Sequence, residues 1–142
     1  MDSAQNQAMK NLIGARLESA QRLDHDWDLR FEAGTSLMFQ SLWRLVSEAA
    51  IEVTSEDDGQ QFGLKTPVDA VAQLKAKIGD KRISDVRIDA ATSDLTFHFG
   101  QSLRLEVIST SSGYEAWSLH VKEALIIGRN GDRVVFSSPK VT

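Results

Sequence analysis

Apolar and polar residues alternate along two neighbouring stretches of the chain, residues 95–99 and residues 103–107. A period of two is the signature of half-buried β-strands, because successive side chains point to opposite faces of a sheet. A three-residue loop between the stretches pairs Phe99 with Leu103 and keeps both apolar sets on one face, whereas a two-residue turn would mix the faces. The pattern therefore predicts an antiparallel hairpin with a three-residue loop.

The first half of the chain carries a similar hairpin signature over residues 28–39. The same loop length predicts that Phe31 lies opposite Phe39. A later apolar stretch that begins at Ile51 is expected to turn at an Asp-Gly pair and to return as a strand through residues 62–64. Both stretches favour antiparallel pairing of neighbouring strands.

A third hairpin is predicted near the C-terminus. The Asn-Gly pair that begins at Asn130 favours a two-residue type I′ turn, since both residues tolerate positive φ angles. This turn would join residues 125–127 to residues 134–136 and would place Ile127 opposite Val134.

Each half of the chain is expected to open with a helix. In the second half, Thr66 is the predicted N-cap, Pro67 occupies the first helical position, and Asp69 places a carboxylate near the positive end of the helix dipole. Apolar residues then recur at helical spacing until Gly79, which is expected to end the helix in a left-handed conformation. In the first half, a thinner apolar stripe predicts a helix that ends at Gly14.

The two halves also resemble each other directly. Residues 28–37 and residues 94–103 share six identical residues at a constant offset of 94 − 28 = 66 positions. Further along, Trp43 with a leucine two residues later is matched by Trp117 with its own leucine. Internal similarity of this kind indicates repetition of one supersecondary unit.

We therefore predict an α+β fold made of two tandem pseudo-repeats, residues 1–66 and residues 67–142, each with one helix followed by antiparallel strands. A unit of about 70 residues with a single helix leaves much of its sheet uncovered, so the two copies are expected to share one core. The whole chain, residues 1–142, is thus predicted to form a single domain.

The charge balance narrows the classes of function. The chain has 16 Lys and Arg against 20 Asp and Glu, and a formal net charge of −4. Nucleic-acid binding is disfavoured, because neutralising phosphates requires a surplus of basic residues, whereas a basic protein partner suits an acidic chain. With no cysteine, no long apolar run and no signal-peptide pattern, we expect a cytoplasmic protein without disulfides or membrane spans.

Strand parity places His98, Arg104 and Glu106 together on the outer face of the second hairpin, with His98 opposite Arg104. An imidazole beside a carboxylate can perform general acid–base chemistry, so His98 with Glu106 is a candidate hydrolase pair. His120 with Glu115 is a second candidate pair. An open strand face, however, offers neither a pocket nor a nucleophile, so we interpret these residues as polar sheet surface and candidate partner contacts.

Tyr114 and Glu115 follow a polar stretch and precede a strand in which Trp117 is expected to face inward. In one interpretation Trp117 is a core residue matched by Trp43, and Tyr114 lies at a strand edge with its hydroxyl in water. In the other, Tyr114 and Glu115 form an exposed aromatic and acidic surface, a composition typical of protein-binding hot spots. Tyr114 and Glu115 are therefore candidate partner-binding residues.

Motifs for phosphate, cofactor or metal chemistry are missing from the sequence. There is no dinucleotide-binding glycine motif, no Walker loop and no Gly-x-Ser-x-Gly elbow. The three histidines lack the spacing of a zinc site, and the acidic stretch at residues 55–58 lacks the alternating oxygen ligands of a calcium loop. We predict neither a cofactor nor a metal.

Across most of residues 67–136, the chain resembles an uncharacterised family of small bacterial proteins. The resemblance is carried by the Asp-Leu-x-Phe-x-Phe-Gly run that begins at Asp94 and by the Tyr-Glu-x-Trp motif that begins at Tyr114. The first half shows only a Leu-Trp pair at Leu42 in place of the second motif. Members of that family resemble the small acidic immunity proteins that bacteria pair with polymorphic toxins, which implies binding of a protein partner and no catalytic residues.

These observations predict a non-catalytic, immunity-like module that presents an acidic or aromatic face to a protein partner. Self-association into a homodimer is the alternative partnership. Two alternatives stay open. A small hydrolase would need a cleft between the copies that contains both His98 and His120. A carrier of a small ligand would need a cavity between the copies.

Overall fold

The computed structural model describes residues 3–121, 124–128 and 135–137. Each half of the chain supplies one short helix followed by strands. The first half contains Ser3–Lys10 (α1), Leu17–Leu23 (β1), Asp26–Phe31 (β2), Thr35–Phe39 (β3), Leu42–Val46 (β4) and Ile51–Thr54 (β5). The second half contains Ala70–Ile78 (α2), Ile83–Ile88 (β6), Leu95–Phe99 (β7), Leu103–Ile108 (β8), Trp117–Val121 (β9), Ala124–Gly128 (β10) and Val135–Ser137 (β11). In the part of the chain that the structure describes, neither helix has the length or apolar character to cross a membrane.

The strands form two antiparallel sheets that each combine both halves of the chain. Sheet I has the order β1-β2-β3-β9-β10-β11, and sheet II has the order β5-β4-β8-β7-β6. The halves meet where β3 pairs with β9 and where β4 pairs with β8. The fold is therefore mostly β rather than α+β.

The two sheets cover each other, and the described helices form no layer over a sheet face. Helices α1 and α2 have only eight and nine residues. Helix α2 contacts β1 and β5, and α1 contacts β6, which are all edge strands. The helices therefore close the edges of the sheets, and the sheet faces bury each other.

One hydrophobic cluster lies between the inner faces of the sheets and contains residues from both halves. Trp27 of sheet I meets Trp43 of sheet II edge to face, with ring centroids 5.4 Å apart. Phe31 of sheet I stacks on Phe97 of sheet II, also at 5.4 Å. Such aromatic pairs contribute packing beyond their buried area and fix how the sheets sit on each other.

Helix α2 begins later than its sequence predicts. Its N-cap is Asp69, whose side chain accepts a hydrogen bond from the backbone N–H of Ala72, rather than Thr66. The backbone of Val68 is held in an extended pairing, since its N–H donates to Gln60 and its carbonyl accepts from the N–H of Gly59. The prediction that Gly79 caps the C-terminus of this helix is confirmed, with a φ angle of 58°, but its ψ angle of −132° lies outside the left-handed helical region.

The register of the second hairpin is confirmed, and that of the first is wrong. Phe99 pairs with Leu103, as the alternation predicts. In the first hairpin, Phe31 pairs with Thr35 instead of Phe39, so the loop is the three residues 32–34. Two consecutive loop residues adopt positive φ angles, Ala33 at 64° and Gly34 at 70°, and this local turn places the reversal earlier in the chain.

Two further strand predictions are corrected by the structure. Residues 62–64 form turns, with Phe62 strongly exposed, so β5 remains an edge strand. Ile127 pairs with Val135 rather than Val134. In β10 the side chain of Ile126 is buried in the core, so the side chain of Ile127 points to the opposite face of the sheet. The predicted turn at Asn130 lies outside the described residues.

Candidate functional site

The structure places the predicted site residues in two separate concavities. Tyr114 and Glu115 line a groove at the end of sheet I, whereas His98, Arg104 and Glu106 line a groove on the outer face of sheet II. The five residues therefore do not form one site. Each concavity also includes residues of the first half of the chain.

The first concavity, which we call the Tyr114 groove, has a volume of about 550 Å³. Buried Phe39 and Trp117 contribute to its lining, and the other lining side chains are more accessible to solvent. The ring of Tyr114 is 81% exposed, the largest exposed fraction among the large hydrophobic side chains of the described residues. The groove is defined by Asp26, Met38, Gln40, Tyr114, Glu115 and Ser118.

The loop that carries Tyr114 is held at both ends. The hydroxyl oxygen of Ser111 accepts hydrogen bonds from the backbone N–H groups of Gly113 and Tyr114, at 3.1 and 3.0 Å. After Glu115, the N–H of Ala116 donates to the carbonyl of Gly128 at 2.8 Å. The backbone is therefore fixed on both sides of an aromatic side chain that projects into solvent.

The ionisable side chains that line the Tyr114 groove are acidic or phenolic. Asp26 and Glu115 supply two carboxylates, and Tyr114 supplies a hydroxyl. Lys, Arg and His do not occur among the described residues that line it. The groove thus combines an exposed aromatic ring with negative charge, an environment that favours a cationic group.

The second concavity, which we call the arginine groove, has a volume of about 760 Å³ on the outer face of sheet II. The predicted pairing of His98 with Arg104 is confirmed, and Thr96 pairs with Glu106 on the same face. The groove is defined by Arg44, Arg87, Thr96, His98, Arg104 and Glu106.

Glu106 is an ion-pair partner of arginine rather than of His98. Its Oε1 accepts a hydrogen bond from Nε of Arg44 at 2.6 Å, and its Oε2 lies 3.5 Å from Nε of Arg104. Among the described residues, no hydrogen bond joins the His98 side chain to Glu106. The geometry that a histidine–carboxylate acid–base pair requires is therefore not assembled here.

On the neighbouring strand, Nε of Arg87 donates to Oδ2 of Asp85 at 2.8 Å. This hydrogen bond, more than any other contact, holds the pKa of the Asp85 carboxyl below its usual value. Asp85 therefore stays ionised near neutral pH as the partner of Arg87.

The two histidines of the hydrolase alternative lie on opposite sides of the molecule. His98 is on the outer face of sheet II, and His120 is on the outer face of sheet I. The hydrophobic cluster separates these faces, so one cleft cannot contain both side chains. The described residues also contain no group of three or more His, Asp or Glu side chains suited to a metal ion.

The sequence pattern missed the first-half residues of both grooves. Met38 joins the Tyr114 groove because it pairs with Ser118 across β3 and β9, and Arg44 joins the arginine groove because it pairs with Glu106 across β4 and β8. These pairs join residues 80 and 62 positions apart (118 − 38 and 106 − 44). Strand parity places Arg44 on an outer face, but nothing local in the sequence names its partner strand.

Neither a protein-family model, nor a curated protein, nor a solved structure matches this chain. The functional argument therefore rests on the geometry of the two grooves.

Proposed function

We propose that this chain is a non-catalytic, immunity-like module that binds a basic protein partner through the Tyr114 groove. The observation that carries the proposal is the ring of Tyr114, 81% exposed beside a concavity whose carboxylates come from Asp26 and Glu115. Tyrosine is enriched at binding hot spots because it supplies a large, rigid contact surface with a polar end. The adjacent carboxylates favour Lys or Arg on the partner.

The length of the Tyr114 loop supports a functional role. The chain crosses from sheet II to sheet I between β8 and β9 through eight residues, 109–116. The corresponding crossing from β3 to β4 in the first half takes only two residues, 40–41. Since two residues suffice for the crossing, the longer loop exceeds what the fold needs, and surplus loop length is typical of binding segments.

We also propose that the two halves are copies of one unit that exchange their last strands. The first three strands of each half join the later strands of the other half: β1–β3 combine with β9–β11 in sheet I, and β6–β8 combine with β4 and β5 in sheet II. A register shift occurs between Leu17 and Ser19 in β1 and between Ile83 and Asp85 in β6, at matching positions. Under this proposal the extended Tyr114 loop is where the second copy diverged to bind a partner.

The contacts of the polar sheet faces favour binding over catalysis. Glu106 is paired with arginines, and His98 and His120 face away from each other. General acid–base catalysis needs its groups within hydrogen-bond reach around a shared reacting atom. The His98 and Glu106 side chains do not form such a site, because both carboxylate oxygens of Glu106 face arginines.

The proposal is tested by affinity capture of the tagged chain from a lysate of its source organism, with Tyr114→Ala and Phe62→Ala as variants. Phe62 is a matched control, because it is an exposed aromatic residue, 69% accessible, in a different loop. We expect a stoichiometric partner that Tyr114→Ala loses by at least tenfold and Phe62→Ala retains, with both variants folded by circular dichroism. Equal recovery with both variants, or the absence of any stoichiometric partner, would contradict the proposal.

A further inference from the structure

The arginine groove contains guanidinium groups whose terminal nitrogens are unused within the described fold. Arg44 and Arg87 each donate a hydrogen bond to a carboxylate through Nε, and Arg104 approaches Glu106 through Nε. The terminal amino groups of these three side chains make no hydrogen bond to any described residue. Each arginine thus keeps N–H donors that have no hydrogen-bond partner among the described residues.

Each carboxylate of the same groove, by contrast, already accepts at least one hydrogen bond within the described fold. The two oxygens of Glu106 face Arg44 and Arg104. Oδ1 of Asp89 accepts backbone N–H bonds from Ala91 and Thr92, which lower the pKa of Asp89, and Oδ1 of Asp94 accepts the N–H of Ser109 at 2.7 Å. Three arginines and three carboxylates line the groove, so its preference depends on which of their atoms remain available. Those atoms are predominantly donors.

The strand register places the unused arginine donors around the same part of the outer face of sheet II. Arg44, Glu106, Thr96 and Arg87 follow one another across β4, β8, β7 and β6. Arg44 and Arg87 are therefore three strand spacings of about 4.8 Å apart, or roughly 14 Å, at their backbones. Their long side chains line the same concavity from opposite sides, with the Thr96 hydroxyl between them and Arg104 beside Glu106.

We propose that the arginine groove binds a small oxyanion carrying at least two negative charges, either a phosphate group or a dicarboxylate. Guanidinium groups present planar pairs of N–H donors that match such oxygens, and charge-assisted bonds of this kind are among the stronger ones in proteins. Glu106 holds Arg44 and Arg104 side by side, so part of the site is ordered before the ligand arrives. The site is independent of the Tyr114 groove.

The test is an NMR titration of the full chain in which the arginine side-chain Nε–Hε signals are followed. Inorganic phosphate and succinate are added in separate arms, each at constant ionic strength maintained with chloride. We expect saturable shifts at Arg44, Arg87 and Arg104, and none at Arg30, an exposed arginine on sheet I. Saturation with phosphate identifies a phosphate site, and saturation with succinate alone identifies a carboxylate site.

Variants separate the site from a general charge effect. Arg87→Gln, or Arg104→Gln as a second variant, is expected to weaken binding of the saturating anion at least tenfold. Lys75→Gln removes one positive charge from the exposed side of α2 and should leave binding unchanged. Shifts that never saturate in either arm, equal shifts at Arg30, or unchanged affinity in both arginine variants would overturn the proposal.

Discussion

Gly128 is a position where one methyl group should disturb the core. It pairs with Trp117 across β9 and β10. A Cβ atom built on Gly128 would lie 2.6 Å from Cζ2 of the Trp117 indole, and closer still to Cε2 and Nε1. The ring cannot move aside cheaply, because Trp117 is 2% exposed and its Nε1 donates a hydrogen bond to the carbonyl of Ser93 at 2.8 Å. Gly128→Ala therefore forces either the strand or the indole to shift.

The size of this effect follows from two contributions. Overpacking a closely packed core costs about 1–3 kcal/mol. Displacing the Trp117 indole breaks the hydrogen bond between its Nε1 and the Ser93 carbonyl and leaves both groups buried and unpaired, which costs about 1–3 kcal/mol more. We expect Gly128→Ala to lower the free energy of unfolding by roughly 2–6 kcal/mol. That is a large share of the total stability of a single domain, which is about 5–15 kcal/mol. Tm should fall by roughly 5–15 °C.

The assay is urea unfolding followed by tryptophan fluorescence, together with thermal unfolding followed by circular dichroism. Gly113→Ala is the matched control, because nothing lies within 4 Å of a Cβ atom there and Gly113 has no positive φ angle. That variant should change stability by no more than about 1 kcal/mol. If Gly128→Ala proves as stable as Gly113→Ala, the close packing of Trp117 against β10 is refuted.

Two further predictions concern acid sensitivity and the exchange of strands. The Arg16 side chain donates hydrogen bonds to Glu32 and lowers the pKa of its carboxyl below the ordinary 4.5, so its stabilising contribution is present above that pH and is lost as pH falls through the lowered value. Urea unfolding should find Glu32→Gln less stable than the wild type at pH 7 and equal to it in strong acid. The control variant Glu48→Gln should match the wild type at every pH. A loss of stability in Glu32→Gln that does not depend on pH would argue against the ion pair. A fragment of residues 67–142 lacks β3 and β4, which pair with β9 and β8, so it should be unfolded or dimeric by circular dichroism and light scattering. A stable monomer would contradict the shared core.

The candidate site was only partly accessible to sequence reasoning. Parity along β7 and β8 correctly grouped His98, Arg104 and Glu106 on one face, because that grouping depends on two strands joined by a short loop. The parity did not predict that Glu106 pairs with Arg44, which comes from a distant strand, and not with His98. Ion pairing depends on which strands become neighbours, which the pattern along one strand does not encode.

The first hairpin illustrates the limit of periodicity itself. Pairing Phe31 with Thr35 or with Phe39 leaves the same residues on the inner face, because the two registers differ by an even number of positions. The apolar pattern therefore cannot choose between them. The positive φ angles of Ala33 and Gly34 select the earlier reversal, and the Phe31 ring then stacks on Phe97 across the core.

By itself, the sequence determined the features that depend on near neighbours: the alternating strands, the register of the hairpin at Phe99, the cap at Gly79 and the inward position of Trp117. The tertiary structure alone decided the sheets, because β3 and β9, like β4 and β8, meet across long separations in sequence. Pairing between strands of the two halves builds both sheets around one core, and the same pairing assembles both grooves from residues of the two halves.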